Sequence, residues 1–244
     1  MADPETIIDH FKIWQVERRE SAWKTFLSLK DQFTDREKQK LAGCPVVLEW
    51  IANPVEKNGK KILHPEPHLT GWRMKFEPAN PPPPAGFVEM HNQFTSKEGV
   101  RWHLGPPQYL LVPAGKGYNP KEPPKDPGEA KVKFDHYLCY EILKPEPLGK
   151  IVTLKDQFDQ KLDKPERIER IIPRFLGVPV AKGSDGKIFQ PDPHLAIYEI
   201  APRTKIPPGK IKITTNDQFG INRDVAVIES LFLAVPSTKV WHKG

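Results

Sequence analysis

Two cysteines in 244 residues are too few for a disulfide framework. No apolar run approaches the length of about 18 residues that spans a bilayer as a helix. There is no glycine-rich phosphate loop, no Gly-x-Ser-x-Gly nucleophile turn and no spaced set of acidic metal ligands. A surplus of charge is missing too. Lysine and arginine number 37 against 31 acidic residues, a net +6, and the lysines at 57, 60, 61, 116, 121 and 125 are broken up by glutamates and prolines. They read as solvated turns, with no specific nucleic-acid partner implied. The start, Met-Ala-Asp-Pro-Glu-Thr, has neither a basic n-region nor an apolar h-region. No leader is expected on the chain as it stands, although a processed secreted or periplasmic form is compatible with it. Proline is the excess: 28 residues, more than twice the usual ~5%. At about 3 kcal/mol for each interior proline, long helical bundles are excluded.

Internal repetition is the strongest signal. Asp31-Gln32-Phe33 returns as Asn92-Gln93-Phe94, Asp156-Gln157-Phe158 and Asp217-Gln218-Phe219, spaced by 61, 64 and 61 residues. A histidine leads each copy: His10, His68, His136 and His194. Each heads an alternating segment closed four residues on by Trp14, Trp72, Tyr140 or Tyr198. A longer period overlies the first, since His10 to His136 and His68 to His194 are both 126 residues. The chain is a duplication of a duplication, A-B-A′-B′.

Within each copy the hydrophobic period is two. A His-led strand, as over 137–142, precedes a second strand ending in the Gln-Phe signature, as over 150–158 and 210–219. A third ends near a proline, over 46–51, 108–112, 175–178 and 225–235. Asn58-Gly59 and Asp185-Gly186 are tight-turn pairs. Short helices are expected over 34–42 and 164–172, the first with Thr34 as N-cap. A unit of about 60 residues has a marginal core alone, so pairing of units is expected. The expected fold is all-β, with two pseudo-symmetric barrel or sandwich domains. These are 1–116 (repeat boundary near 64) and 131–244 (boundary near 190), joined by a Pro-rich linker at 117–130. An elongated four-module rod is the competing picture.

These markers resemble an uncharacterised bacterial tandem-repeat family, a domain of unknown function. Its units show a His-x-x-Cys-Tyr start, a Thr-Asp/Asn-Gln-Phe signature and a Leu-Cys-x-Pro end. The corresponding ends here are Asn53-Pro54, Val112-Pro113, Val178-Pro179 and Val235-Pro236. The resemblance implies two cysteines per unit, at Ile13 and Ala52, Gly71 and Leu111, Cys139 and Gly177, and Ile197 and Ala234. Cys139 alone is a cysteine here. Loss of the implied disulfides suits a reducing compartment, such as the cytoplasm, or stabilisation by a partner. The resemblance carries no activity.

Candidate chemistry is sparse. The four histidines read as structural anchors repeated with the fold. His64-Pro-Glu-Pro-His68 has two imidazoles, but its prolines forbid the helix on which a paired zinc site is built, and Gln190 stands at the matching place. Neither a metal nor a cofactor is expected. Gln32, Gln93, Gln157 and Gln218 read as strand bridges, and Phe33, Phe94, Phe158 and Phe219 as core. Cys44 and Cys139 read as inert thiols. No catalytic residue emerges, and the chain is not expected to be an enzyme. Trp23 and Trp102 lack aromatic counterparts in A′-B′ and are candidates for an exposed interface. The expected function is a non-catalytic scaffold or accessory subunit that meets another protein or a larger complex through Pro-rich loops at 77–85 and 117–127. A carbohydrate or small-ligand module using exposed tryptophans is the alternative.

Overall fold

The computed structural model describes residues 7–36, 40–66, 68–125, 127, 134–183 and 186–244. Strands dominate, and each repeat contributes two long ones. Repeat A supplies β1 (Phe11–Glu20) and β3 (Leu41–Pro54), and repeat B supplies β5 (His68–Glu77) and β7 (Val100–Gly117). From A′ come β8 (His136–Leu143) and β11 (Arg170–Lys182), and from B′ β12 (His194–Ala201) and β14 (Gly220–His242). Pairing is antiparallel throughout and runs β1–β3–β5–β7–β8–β11–β12–β14. It then returns from β14 to β1, with Phe11 opposite Ala234. The eight strands form a ring, which leaves no edge to be capped.

The repeats therefore share one sheet. Two separately closed domains, or a rod of modules, would leave β7 and β8 unpaired across the expected boundary. Instead Leu111 lies opposite Tyr137 and Leu110 opposite Leu138. The described part of the Pro-rich segment between them is tied to the barrel as well. The Pro124 carbonyl accepts a hydrogen bond from Asn216 Nδ2 at 3.0 Å, and the Pro120 carbonyl accepts one from Arg223. Four two-stranded half-units cannot each bury a core, whereas eight strands enclose just enough space for their own side chains.

Inside the ring, alternate residues from all eight strands meet. Phe11, Ile13, Trp50, Ala52, Leu69, Tyr109, Leu111, Tyr137, Cys139, Leu195, Ile197 and Ala234 form one buried cluster, with Phe175 and Phe232 against it. Trp50 stacks on Tyr109 with ring centroids 3.8 Å apart. Gly71 makes room for that stack, because a Cβ there would fall 2.8 Å from the Trp50 ring. The positions at which the family resemblance implies cysteine pairs all face this lumen directly across from one another: Ile13 and Ala52, Gly71 and Leu111, Cys139 and Gly177, Ile197 and Ala234.

The other faces of the same strands carry a second, larger core that includes Trp14, Trp72, Tyr140 and Tyr198. It is covered by the segments between the long strands. These contain β2 (Leu27–Lys30), α1 (Gln32–Arg36), β4 (Glu56–Lys57), β6 (Phe87–His91), β9 (Val152–Lys155), α2 (Gln157–Leu162), β10 (Glu166–Ile168) and β13 (Lys212–Asp217). Four of the short strands, one per repeat, bridge their own repeat to the repeat two places round the ring. Thus β2 pairs with β3 and β11, and β9 with β10 and β4. In the same way β6 pairs with β7 and β14, and β13 with β14 and β7.

The helices begin at the signature rather than after it. In α2 the Asp156 side chain accepts from the backbone N–H of Phe158 and Asp159, and Asp159 returns the bond to the Asp156 N–H. The helix ends at Asp163, whose φ is +52°. The stretch 164–172, expected to be helical, is instead β10 and the start of β11, because Ile168 and Ile171 are buried at strand positions. Glu37, within the expected helix 34–42, lies outside the described residues. So does Asp185 of the second turn pair, whereas Asn58 and Gly59 form the expected tight turn with φ of +50° and +80°. Among the described residues no helix is long and apolar enough to cross a membrane.

Candidate functional site

The signature residues bind across the barrel. Asp31 Oδ1 accepts from the backbone N–H of Phe33 and Thr34, while Oδ2 accepts from the Tyr140 hydroxyl at 2.7 Å. Asp156 reciprocates, with Oδ2 accepting from Trp14 Nε1 at 2.7 Å and Asn53 Nδ2 at 2.8 Å. In the other repeat pair, Asn92 Nδ2 donates to the Tyr198 hydroxyl at 2.9 Å, and Asp217 Oδ2 accepts from Trp72 Nε1 at 2.9 Å. A therefore clasps A′, and B clasps B′. Each signature phenylalanine packs edge-on against the same aromatic: Phe33 on Tyr140, Phe94 on Tyr198, Phe158 on Trp14 and Phe219 on Trp72, with centroids 5.2–5.5 Å apart.

The histidines stand where the ring strands begin. Gln32 Nε2 lies 2.5 Å from His194 Nε2, and Gln93 Nε2 lies 2.6 Å from His10 Nε2. Gln157 opens α2 half-buried, and the Gln218 amide oxygen accepts from the Lys182 ammonium. His194 Nδ1 is 2.7 Å from the Asp192 carbonyl. A neutral ring that donates from Nδ1 and accepts at Nε2 satisfies both contacts. Burial pushes His194 down to about 3, and the nearby Lys239 charge adds to the effect. Burial also holds His68 and His136 well below 6.5, aided by Lys116 and Lys182 respectively.

Those lysines are a fourth repeated marker that sequence reasoning missed. Lys57, Lys116, Lys182 and Lys239 each follow a repeat-ending proline by three residues, and that spacing was the available signal. Every one lies over a signature ring: Lys57 over Phe94, Lys116 over Phe158, Lys182 over Phe219 and Lys239 over Phe33, at 4.4–6.0 Å. Lys116 donates to Asn53 Oδ1 at 2.6 Å, and burial lowers it to about 7. Asp9 and Asp135, just before His10 and His136, form another matched pair. Each accepts two backbone N–H bonds at 2.7 Å, from Leu63 and His64 or from Phe189 and Gln190. His64 thus joins Asp9, with Nδ1 3.3 Å from Oδ2. Among the described residues no group of three or more His, Cys, Asp or Glu is placed to hold a metal.

Neither candidate tryptophan stands clear of the fold. Trp23 is half-buried, packs on Phe219 at 5.7 Å and donates to the Thr25 carbonyl at 2.8 Å. Trp102 is only 6% exposed, so it is no free platform, but its surroundings are open. It lies in a cleft of about 800 Å³ between the signature turn of B and the far end of A′. Phe94, Trp102, Pro173 and Tyr198 are apolar lining of this cleft, with Trp102 set edge-on to Tyr198 at 6.2 Å. One wall is the turn Thr95–Val100, held by Gly99 N–H to the Ser96 carbonyl and by Gly99 at φ +78°. The other is Leu143, Lys144, Pro145, Glu146 and Leu148, with Leu148 pinned to Ile171 by bonds in both directions at 2.8 and 3.1 Å. Arg101 and His103 complete the lining.

The architecture and its fourfold clasps define a class: a β-barrel closed by tandem repeats that hold one another in pairs. The chain belongs to the family described as a repeat of unknown function (DUF7450), which matches residues 68–237. No curated protein and no solved structure matches the chain.

Proposed function

We propose that this protein is a non-catalytic binding module whose site is the cleft beside Trp102. One observation carries the reading: an opening of about 800 Å³, within the size range of small-molecule sites, lined by three aromatic rings on a closed barrel. Of the four clasps, the one between Asn92 and Tyr198 borders this lining, whereas Asp31, Asp156 and Asp217 do not belong to it. Occupancy of the cleft changes the surroundings of Trp102, so a bound ligand gives a saturable change in tryptophan emission. Trp102→Phe keeps the aromatic floor and removes that signal. Leu143→Trp, at a leucine that is 44% exposed, blocks the cleft and abolishes binding. A compound whose binding and thermal shift survive Leu143→Trp unchanged would refute the cleft as the site.

The scaffold expectation has an observation of its own. In the loop before β6, Pro81 and Pro84 are buried, while Pro82 and Pro83 between them are exposed. The three-residue spacing suits an extended polyproline ridge anchored on one side. Such a ridge fits an aromatic-lined groove on a partner protein. Pull-down with the wild-type chain and a Pro82→Ser/Pro83→Ser variant tests it; equal recovery of the same partners by both rejects the ridge.

A further inference from the structure

The polar groups around the cleft point to a ligand class. Two hydroxyls of the lining are already engaged within the protein. Thr95 Oγ1 donates to the Asn92 carbonyl at 3.0 Å, and Ser96 Oγ to the Gly99 carbonyl at 3.2 Å. The Tyr198 hydroxyl accepts from Asn92 Nδ2. A sugar needs many polar partners around its rim, and each of these three hydroxyls already spends part of its hydrogen-bonding capacity inside the protein. What the cleft offers instead is apolar surface and charge. Arg101 and Lys144 are exposed cations, His103 is exposed between Trp102 and Leu104, and Glu146 is the one carboxylate in the lining. Arg101 is steadied by stacking over Phe87 at 4.9 Å and His103 by the Gly86 carbonyl at 3.1 Å from Nδ1. Lys144 is fixed at a left-handed turn with φ +50°. Arg101 and His103 thus come from the rim of β7, and Lys144 from the facing wall.

We infer that the cleft takes an amphipathic organic anion: an aromatic or branched apolar body against Phe94, Trp102 and Tyr198, with a carboxylate or sulfonate between Arg101 and Lys144. This assignment rests on the cleft being the binding site. Charge-assisted contacts to the acid group favour it over a neutral ligand of the same shape. The apolar body supplies burial that a hydrated inorganic anion lacks.

A matched probe pair separates the two claims. 8-Anilinonaphthalene-1-sulfonate and N-phenyl-1-naphthylamine share one aromatic body, and only the first carries an acid. Titrated into the full chain, the sulfonate binds saturably and about tenfold or more tighter than the neutral amine. Arg101→Gln/Lys144→Gln, both at exposed positions, removes that preference while leaving the neutral amine bound as before. Leu143→Trp removes binding of both. Equal affinity for the two probes, with both lost in Leu143→Trp, overturns the anion assignment and leaves the cleft standing. Competition by a chitooligosaccharide as strong as that by the sulfonate also overturns it. Binding of neither probe, or binding unchanged in Leu143→Trp, overturns the cleft together with its ligand class.

Discussion

In each clasp, the aromatic on the facing strand decides which side chain the signature must carry. Where the partner is tryptophan, at Trp14 and Trp72, the signature is Asp156 or Asp217; where it is tyrosine, at Tyr140 and Tyr198, it is Asp31 or Asn92. An indole N–H only donates, so it requires an acceptor, whereas a phenol both donates and accepts. Asp31→Asn keeps Oδ1 for the Phe33 and Thr34 amides and turns Nδ2 toward the Tyr140 oxygen, as Asn92 does with Tyr198. It also removes a carboxylate whose pKa burial raises. With each hydrogen bond kept, its expected cost is below about 1 kcal/mol. Asp217→Asn sets an amide donor against Trp72 Nε1, which is 2.9 Å from Oδ2 and 1% exposed. Thr70, whose hydroxyl also bonds Oδ2, can turn to accept from the new amide, so one buried donor is left poorly satisfied, at about 1–3 kcal/mol. Urea unfolding followed by far-UV circular dichroism, with the slope checked for constancy, measures both. Equal losses for the two variants, or a larger loss for Asp31→Asn, would refute the reasoning.

Two further outcomes follow from the same geometry. The buried histidines make the fold acid-sensitive. His68, His136 and His194 have folded pKa values below 6.5, so the unfolded chain binds protons that the folded one refuses. Their contribution to stability is full above about pH 6.5 and falls on acidification toward about 3 for His194, by up to ~1.4 kcal/mol per pH unit for each histidine. The carboxyls that burial raises, Asp31, Asp135 and Asp217, and Asp159, pushed up to about 7, bind protons more readily folded than unfolded and oppose this within the same window. His194→Gln flattens the dependence of urea stability between pH 6.5 and 5; an unchanged slope refutes the assignment. In the lumen, Ile13→Cys with Ala52→Cys places two thiols directly opposite on β1 and β3. Oxidation is expected to close a disulfide and add about 2–4 kcal/mol, and free thiols persisting in the oxidised folded protein would show that the register is wrong.

Much of the local plan was legible in the residues. The four signatures, the His-led strands with their period of two, the Asn58-Gly59 turn and the all-β class follow from spacing and side-chain type. The match of Trp14 and Trp72 with Tyr140 and Tyr198 was also visible, and these four rings share the larger core. One further signal was present and unused. In β8, Tyr137 to Tyr140 are buried without alternation, which marks a strand covered on both faces. Lysine three residues after each terminal proline was a second.

The repeat, its strands and the turn chemistry of each signature can be read along the chain, because these depend on neighbours a few residues apart. That four repeats close one barrel, with A clasping A′ and B clasping B′, follows from the folded sheet. A period-two strand looks the same whichever strand it pairs with, and the choice of neighbour is made by closing the ring and burying both of its faces. The cleft belongs to that second level too. Phe94, Trp102, Leu143, Pro173 and Tyr198 come from three different repeats, and nothing in their spacing along the chain brings them together until the barrel is closed.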